Sequence, residues 1–480
     1  MSEAKKLLIQ RKIKDVSRHV AGVSYYYTDG EIERIGCLGY ENIEKQIKLS
    51  SKSVWSLQSI TKNISASVVA WLVDRRLTTY DTTINPSLGL EFASLNVTRN
   101  VTIKNGLSHT TGLPGGAGLE ASEYYYSLST IYRTVRKYEL LNFCDIGEPC
   151  HKLCKMSYSN LGITIGLNAA VADAGLGDSY TDMIKTQKMF ATRIGMTDVL
   201  IGTNEIIKNN HLVQPYIYRD GKYVPRKLDV VHQFAGADGI FTTIKSLSMF
   251  LKFHLNQGRV GEKTVVRRKV LDELYVPVSI SDANVNGDFY GMGTAIYSFD
   301  HNGDKLLVFG HGGAYSGGFL HQIVYNATTG IGVAILTNTF NAYATALAFY
   351  IYFVLYSDES YAEEQYQRIL RNGTDDLSFF TCEETITDFV YNTRFNRSDL
   401  PGTYYNQTDG LIMISDDYNI TVGKTSPSPL NFEADSTWFD LETTFLVDIA
   451  VINVISLRGK IVGIQLLYAC FASTYIKIST

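Results

Sequence analysis

The chain has 480 residues, 45% of them hydrophobic and 19% charged, with a net charge of −4. That is the composition of a globular protein with room for one large core and a smaller one. At this net charge nothing suggests a nucleic-acid partner. No apolar run reaches the roughly 18 residues that a membrane-spanning helix needs. The nearest, ALAFYIYFVLY from Ala346 to Tyr356, reads as a buried core helix.

In chain order, MSEAKKLLIQRKIKDVSRHV is charged throughout and lacks an apolar secretory core. It predicts a short amphipathic helix packed on the surface. VAGVSYYYTDGEIERIGCLGYEN reads as two strands joined by a turn at Asp29-Gly30. WSLQSITKNISASVVAWL predicts an amphipathic, half-buried helix that begins at Ser59 and ends near DRRL. VTIKNGLSHTTGLPG follows as a helix that stops at a Gly/Pro turn, and a Tyr-rich helical insert comes next. In KMSYSNLGITIGLNAAVADA, Ser159-Asn160 opens a long helix, and FAGADGIFTTIKSLSMFLKFHLNQG is a glycine turn followed by another.

GMGTAIYSF, KLLVFGHGGAYSGGFLHQIVYN and GIGVAILTN predict consecutive antiparallel strands with turns at Asn302-Gly303 and Thr329-Gly330. A helix from Ala342 to Tyr356 should pack behind them. The fold class is therefore α+β, an antiparallel sheet drawn from both ends of the domain and flanked by helices. This domain spans 1–368. A polar connector covers 369–397, and 398–480 reads as a small all-β domain.

The compartment signals conflict. Sequons occur at Asn63, Asn96, Asn100, Asn326, Asn372, Asn396, Asn406 and Asn419, and they point to a secreted glycoprotein. The absent signal segment points to the cytoplasm instead. Cys144, Cys150 and Cys154 cluster around His151, while Cys37, Cys382 and Cys470 are scattered. The cluster lacks the paired spacing of a zinc site, so one or two disulfides is the alternative, and no metal or organic cofactor is expected.

The chemistry concentrates at SITK. Serine is a poor nucleophile unless a base takes its proton. Lys62, three residues beyond Ser59, lies above it on a helix. It can act as that base once burial or a second cation lowers its pKa. The helix dipole and the Ser59 amide favour an oxyanion. The bland reading is a helix-capping serine beside a solvated lysine, and S-x-x-K should arise about twice by composition alone. Two further elements stand at the expected boundaries. MSYSNLG supplies Tyr158 and Asn160. FGHGGAYSGG supplies His311, Gly312 and Gly313 at a strand end, with the amide of Ala314 as a second oxyanion donor. Taken singly, Tyr158 could be core packing and His311 a surface strand end.

Together SITK, YSN and HGG resemble the three motifs of serine beta-lactamase-related proteins, nearest the class C beta-lactamase, D-aminopeptidase and esterase group. LSHTTGLP, AGADGIFTTIKSLSMFL and YGMGTAIY are similar to that group's LTHTSGLP, AGGLYSTAEDLARFL and YGLGW. The resemblance covers about residues 15–360. It implies Ser59 as acyl-forming nucleophile, Lys62 as its activating partner, Tyr158 as general base and then acid, and Asn160 as the residue that orients a substrate amide or ester. His311 stands where most beta-lactamases have lysine, which speaks against a beta-lactam carboxylate as natural ligand. The segment before YSN is longer than in relatives and carries two cysteines. The sequon at Asn63, directly after Lys62, is expected to be unmodified.

The resulting expectation is a serine hydrolase acting on a small-molecule or peptide ester or amide, or an acyltransferase using the same residues. Neither a nucleic acid nor a membrane span enters this reading. The alternatives are an extracellular matrix protein that keeps the fold without depending on catalysis, as in secreted eukaryotic and molluscan shell relatives, and a slow-releasing acyl-binding protein.

Overall fold

The structure is a computed structural model. It describes residues 1–114, 117, 128–138, 140–141, 154–219, 221–228, 234–281, 288–315 and 317–375, and the strands between 401 and 479. The chain divides into two compact units. One comprises Met1–Ala117 and Tyr138–Thr374, the other Gly118–Lys137 and Asp375–Thr480.

The first unit is built on a ten-stranded sheet, antiparallel except where Ser279–Ile280 meets Cys154–Lys155 at one edge. Strand Gly22–Thr28 pairs with Ile331–Thr337, Tyr25 opposite Ile335, so the two ends of the domain meet mid-sheet as expected. Strands Ala295–His301, Asp304–Tyr315 and Phe319–Asn326 continue it in sequence order. Helix Tyr343–Tyr356 packs on one face, and Ala346 through Val354 are buried. It is the apolar run noted above. Among the described residues no helix is long and apolar enough to cross a membrane. The N-terminal helix Glu3–Val16 buries Ile9, Ile13 and Val16 in the same core.

Three expectations are corrected here. VTIKNGLSHTTGLPG forms only the short helix Ile103–Leu107, because His109 leaves helical geometry with φ at +59°. The connector does not begin at 369. Helix Glu359–Asp375 runs through that point, with Ala362 and Tyr366 buried on its inner face. The helix Ile60–Asp74 is not half-buried: every side chain from Ile60 to Leu72 is buried. Its polar residues are satisfied by partners rather than by solvent. Ser65 Oγ donates to Gly236 O at 2.6 Å, and Asn63 Nδ2 donates to Gly293 O at 3.1 Å and Thr294 Oγ1 at 2.8 Å.

In the second unit eight antiparallel strands, from Gly402–Asn406 to Phe471–Ser479, each pair with the next, and the last pairs with the first. This closed barrel leaves no free sheet edge. The cysteine cluster's possible metal site and disulfides lie outside the described residues. Among the described residues no group of side chains could hold a metal ion.

Candidate active site

Three segments converge on Ser59. The first is its own approach. Strand Val54–Ser56 pairs with Phe241–Thr243, and Leu57 N–H donates to Ile240 O at 2.9 Å. His321 Nε2–H holds Ser56 O at 2.9 Å. Gln58 then takes φ +50°, a left-handed conformation that costs a non-glycine residue about 1–2 kcal/mol. The kink delivers Ser59 to the helix start in right-handed geometry. Ser59 makes no side-chain capping bond, so the bland capping role is not the one it has.

Instead Lys62 Nζ lies 2.7 Å from Ser59 Oγ and donates to Ala237 O at 3.3 Å. The lysine is fully buried. Desolvation drives its pKa down to about 7, against a smaller upward pull from Asp238. A substantial fraction of the amine is thus neutral at physiological pH.

The second segment carries Tyr158. Its hydroxyl hydrogen-bonds with Ser59, and its ring faces Lys62 Nζ at 4.7 Å from the centroid. Burial pushes the phenol pKa upward, so Tyr158 is held as the neutral phenol. Ser159 opens the next helix, Asn160–Asp173, and its Oγ accepts the Gly162 N–H at 3.1 Å. Asn160 Oδ1 is buried and has no partner among the described residues. A substrate N–H is what such an acceptor fits.

The third is strand Asp304–Tyr315. A Cβ on Gly313 would stand 2.4 Å from Leu57 O, so only glycine lets the strand lie against the turn before Ser59. His311 shares that side of the strand, and Gly312 and Ala314 alternate with them. Gly293 performs a similar service behind the helix, where a Cβ would meet Lys62 O at 2.6 Å.

His311 is not a solvated strand end. It is buried, with Nδ1–H donating to Gly312 O at 2.6 Å and Nε2 accepting from Tyr290 Oη at 2.9 Å. Burial, with Lys62 adding to it, lowers its pKa to about 3. It is a neutral group standing where the resemblance places a cation.

The structure thus brings Ser59, Lys62, Tyr158, Asn160, His311, Gly312, Gly313 and Ala314 onto three converging segments. The sequence reading missed Tyr290, which partners His311, and Ala237, which accepts from Lys62. It also missed His109, whose ring lies 4.3 Å from that of Tyr158. His109 was visible in LSHTTGLP, quoted only for its resemblance. Tyr290 opens YGMGTAIY, which was likewise quoted only for its resemblance.

A large antiparallel sheet flanked by helices, with a Ser-x-x-Lys pair at the start of a buried helix, defines the beta-lactamase/transpeptidase-like fold. Residues 8–355 match the Beta-lactamase family, and the chain belongs to it, among beta-lactamase-related hydrolases. Penicillin-binding protein 4 of Amycolatopsis lactamdurans is 25% identical over 331 residues, 67% of this chain and 81% of that protein. Among solved structures, the octameric penicillin-binding protein homologue from Pyrococcus abyssi is similar with a TM-score of 0.61 at 19% identity, covering 99% of each chain. EstCE1, a hydrolase with promiscuous acyltransferase activity, is similar with a TM-score of 0.58 at 17% identity, covering 74% of this chain and 100% of that one.

Proposed function

We propose that the protein is a serine hydrolase that forms an acyl-enzyme on Ser59 with a small ester or amide. The observation that carries this reading is the buried Lys62 amine 2.7 Å from Ser59 Oγ, drawn down to a pKa of about 7. A neutral amine at that distance accepts the Ser59 proton as Oγ attacks the substrate carbonyl. The amides of Ser59 and Ala314 receive the oxyanion. Tyr158, as a phenol in contact with both Ser59 and Lys62, passes the proton to the leaving group as the tetrahedral intermediate collapses to the ester. Water then attacks that ester by the reverse proton path, releasing the acid and restoring Ser59. In the free enzyme the base is Lys62, because a phenol with a raised pKa holds its proton.

Neutral His311 supports esters and amides without a carboxylate at that end, since nothing there repays an anion's desolvation. A second reading, acylation with slow release, draws support from the relative named a penicillin-binding protein. The test is intact-mass analysis after treatment with a fluorophosphonate and, separately, with nitrocefin. One adduct lost in Ser59→Ala is the expected result. A persistent nitrocefin adduct favours the slow-release reading. A folded wild type that takes up neither probe rejects acyl-enzyme chemistry and leaves the non-catalytic matrix role.

A further inference from the structure

We infer that His109 is a positioning residue for the reaction, a clamp that grips the chain on both sides of Tyr158 and fixes its phenol against Lys62. This rests on the acyl-enzyme reading above. The backbone carbonyl of His109 accepts the Ser157 N–H at 2.9 Å. Its ring Nδ1 accepts the Ser159 N–H at 3.0 Å. Tyr158 is therefore held by the residue before it and the residue after it, both fastened to one histidine. The ring also packs on the Tyr158 ring at 4.3 Å and on the Tyr290 ring at 4.7 Å. Tyr290 in turn donates to His311, so the clamp joins the second and third motifs.

The choice of residue follows from three demands. The backbone here sits at φ +59°, where histidine and asparagine are enriched among non-glycine residues. The side chain must offer an acceptor to the Ser159 amide, and it must present a flat face to an aromatic ring. Histidine meets all three; asparagine meets the first two and glycine only the first. Because Nδ1 accepts an N–H, the ring proton resides on Nε2. Nε2 has no partner among the described residues. The ring is fully buried, and its burial together with Lys62 and His311 keeps it uncharged. His109 thus carries no proton of the reaction and acts through Tyr158.

That last point sets the test. Acylation rate constants with a neutral activated ester are measured for wild type, His109→Gly, Tyr158→Phe and the double variant. His109→Gly keeps the left-handed backbone and removes the clamp. A displacement of the phenol by about 1 Å predicts a loss of up to about 100-fold in the acylation rate, with KM little changed. His109→Asn should recover part of it. In the Tyr158→Phe background, His109→Gly should cost less than about threefold, because the group it positions is gone. Equal losses in both backgrounds, or no loss in wild type, overturn the inference. If His109→Gly does not fold, His109→Asn carries the same cycle. A wild type that never acylates is a failure of the hydrolase reading, and it is seen before any His109 variant is made.

Discussion

Two serines open two helices at this site, and they are used in opposite ways. Ser159 has extended backbone angles, and its Oγ caps its helix by accepting the Gly162 N–H. Ser59 has already turned helical, and its Oγ caps nothing. The difference traces to the residue before each. Gln58 is forced to φ +50°, which brings Ser59 into the first turn and frees its hydroxyl for Lys62. A catalytic serine is thus distinguished from a structural one by what its hydroxyl has been relieved of. The side-chain spacing S-x-x-K shows the partner, but not the relief.

The comparison can be broken most severely at Ser59. Ser59→Ala should abolish probe labelling and leave the helix start intact, since no capping bond is lost; any fall in melting temperature comes from the contacts that Lys62 and Tyr158 lose at Oγ. Lys62→Met comes next. Acylation should fall by about 10²–10⁴, and wild-type acylation should rise with pH through an inflection near 7, where Lys62 loses its proton. The same substitution should raise stability rather than lower it. The unfolded amine binds a proton up to about pH 10.4 and the folded one only up to about 7. Burying the lysine therefore costs most below pH 7, and the cost disappears above about 10. Lys62→Met should be more stable than wild type at pH 6, with the advantage vanishing by pH 10; denaturant melts at both pH values decide it.

A third test concerns the neutral histidines. His254 and His311 are lowered to about 3 and His321 to about 4, all by burial. The unfolded chain takes up those protons from about pH 6.5 downward. Stability should therefore decline as pH falls from 6.5 toward 4, and His321→Gln should flatten part of that slope. The smallest effect is at the other serine. Ser159→Ala should cost about 1 kcal/mol of stability through the lost cap and less than about tenfold in acylation. A larger kinetic loss than at Lys62 would erase the distinction between the two helix starts.

The fold was largely legible, because strands such as GIGVAILTN and helices such as ALAFYIYFVLY announce themselves by composition and period. Ser59, Lys62 and Tyr158 were legible through spacing and resemblance. The full burial of the Ser59 helix was not. Lysine, asparagine and serine along ITKNISAS read as an exposed face, and only tertiary partners such as Gly293 O and Gly236 O make them interior. Two of the eight sequon asparagines are interior for the same reason. Asn63 Nδ2 is committed to Gly293 and Thr294, and Asn326 Nδ2 donates to Leu307 O at 2.7 Å. Both motifs are used inside the fold rather than displayed on it. His109 and Tyr290 lay inside the quoted LSHTTGLP and YGMGTAIY, but their roles did not show, because their contacts to Ser159 and His311 are long-range in sequence.

The pairing of Gly22–Thr28 with Ile331–Thr337 has a consequence for synthesis of the chain. The first strand leaves the ribosome about 300 residues before its mid-sheet partner, a wait of roughly 15–60 s at about 5–20 residues per second. His311 arrives late as well, so the Ser59 helix must be guarded from misassembly until the third segment appears. Nascent chains truncated before residue 331 should bind chaperones and resist no protease, whereas those released just beyond residue 356 should acquire a protected N-terminal strand.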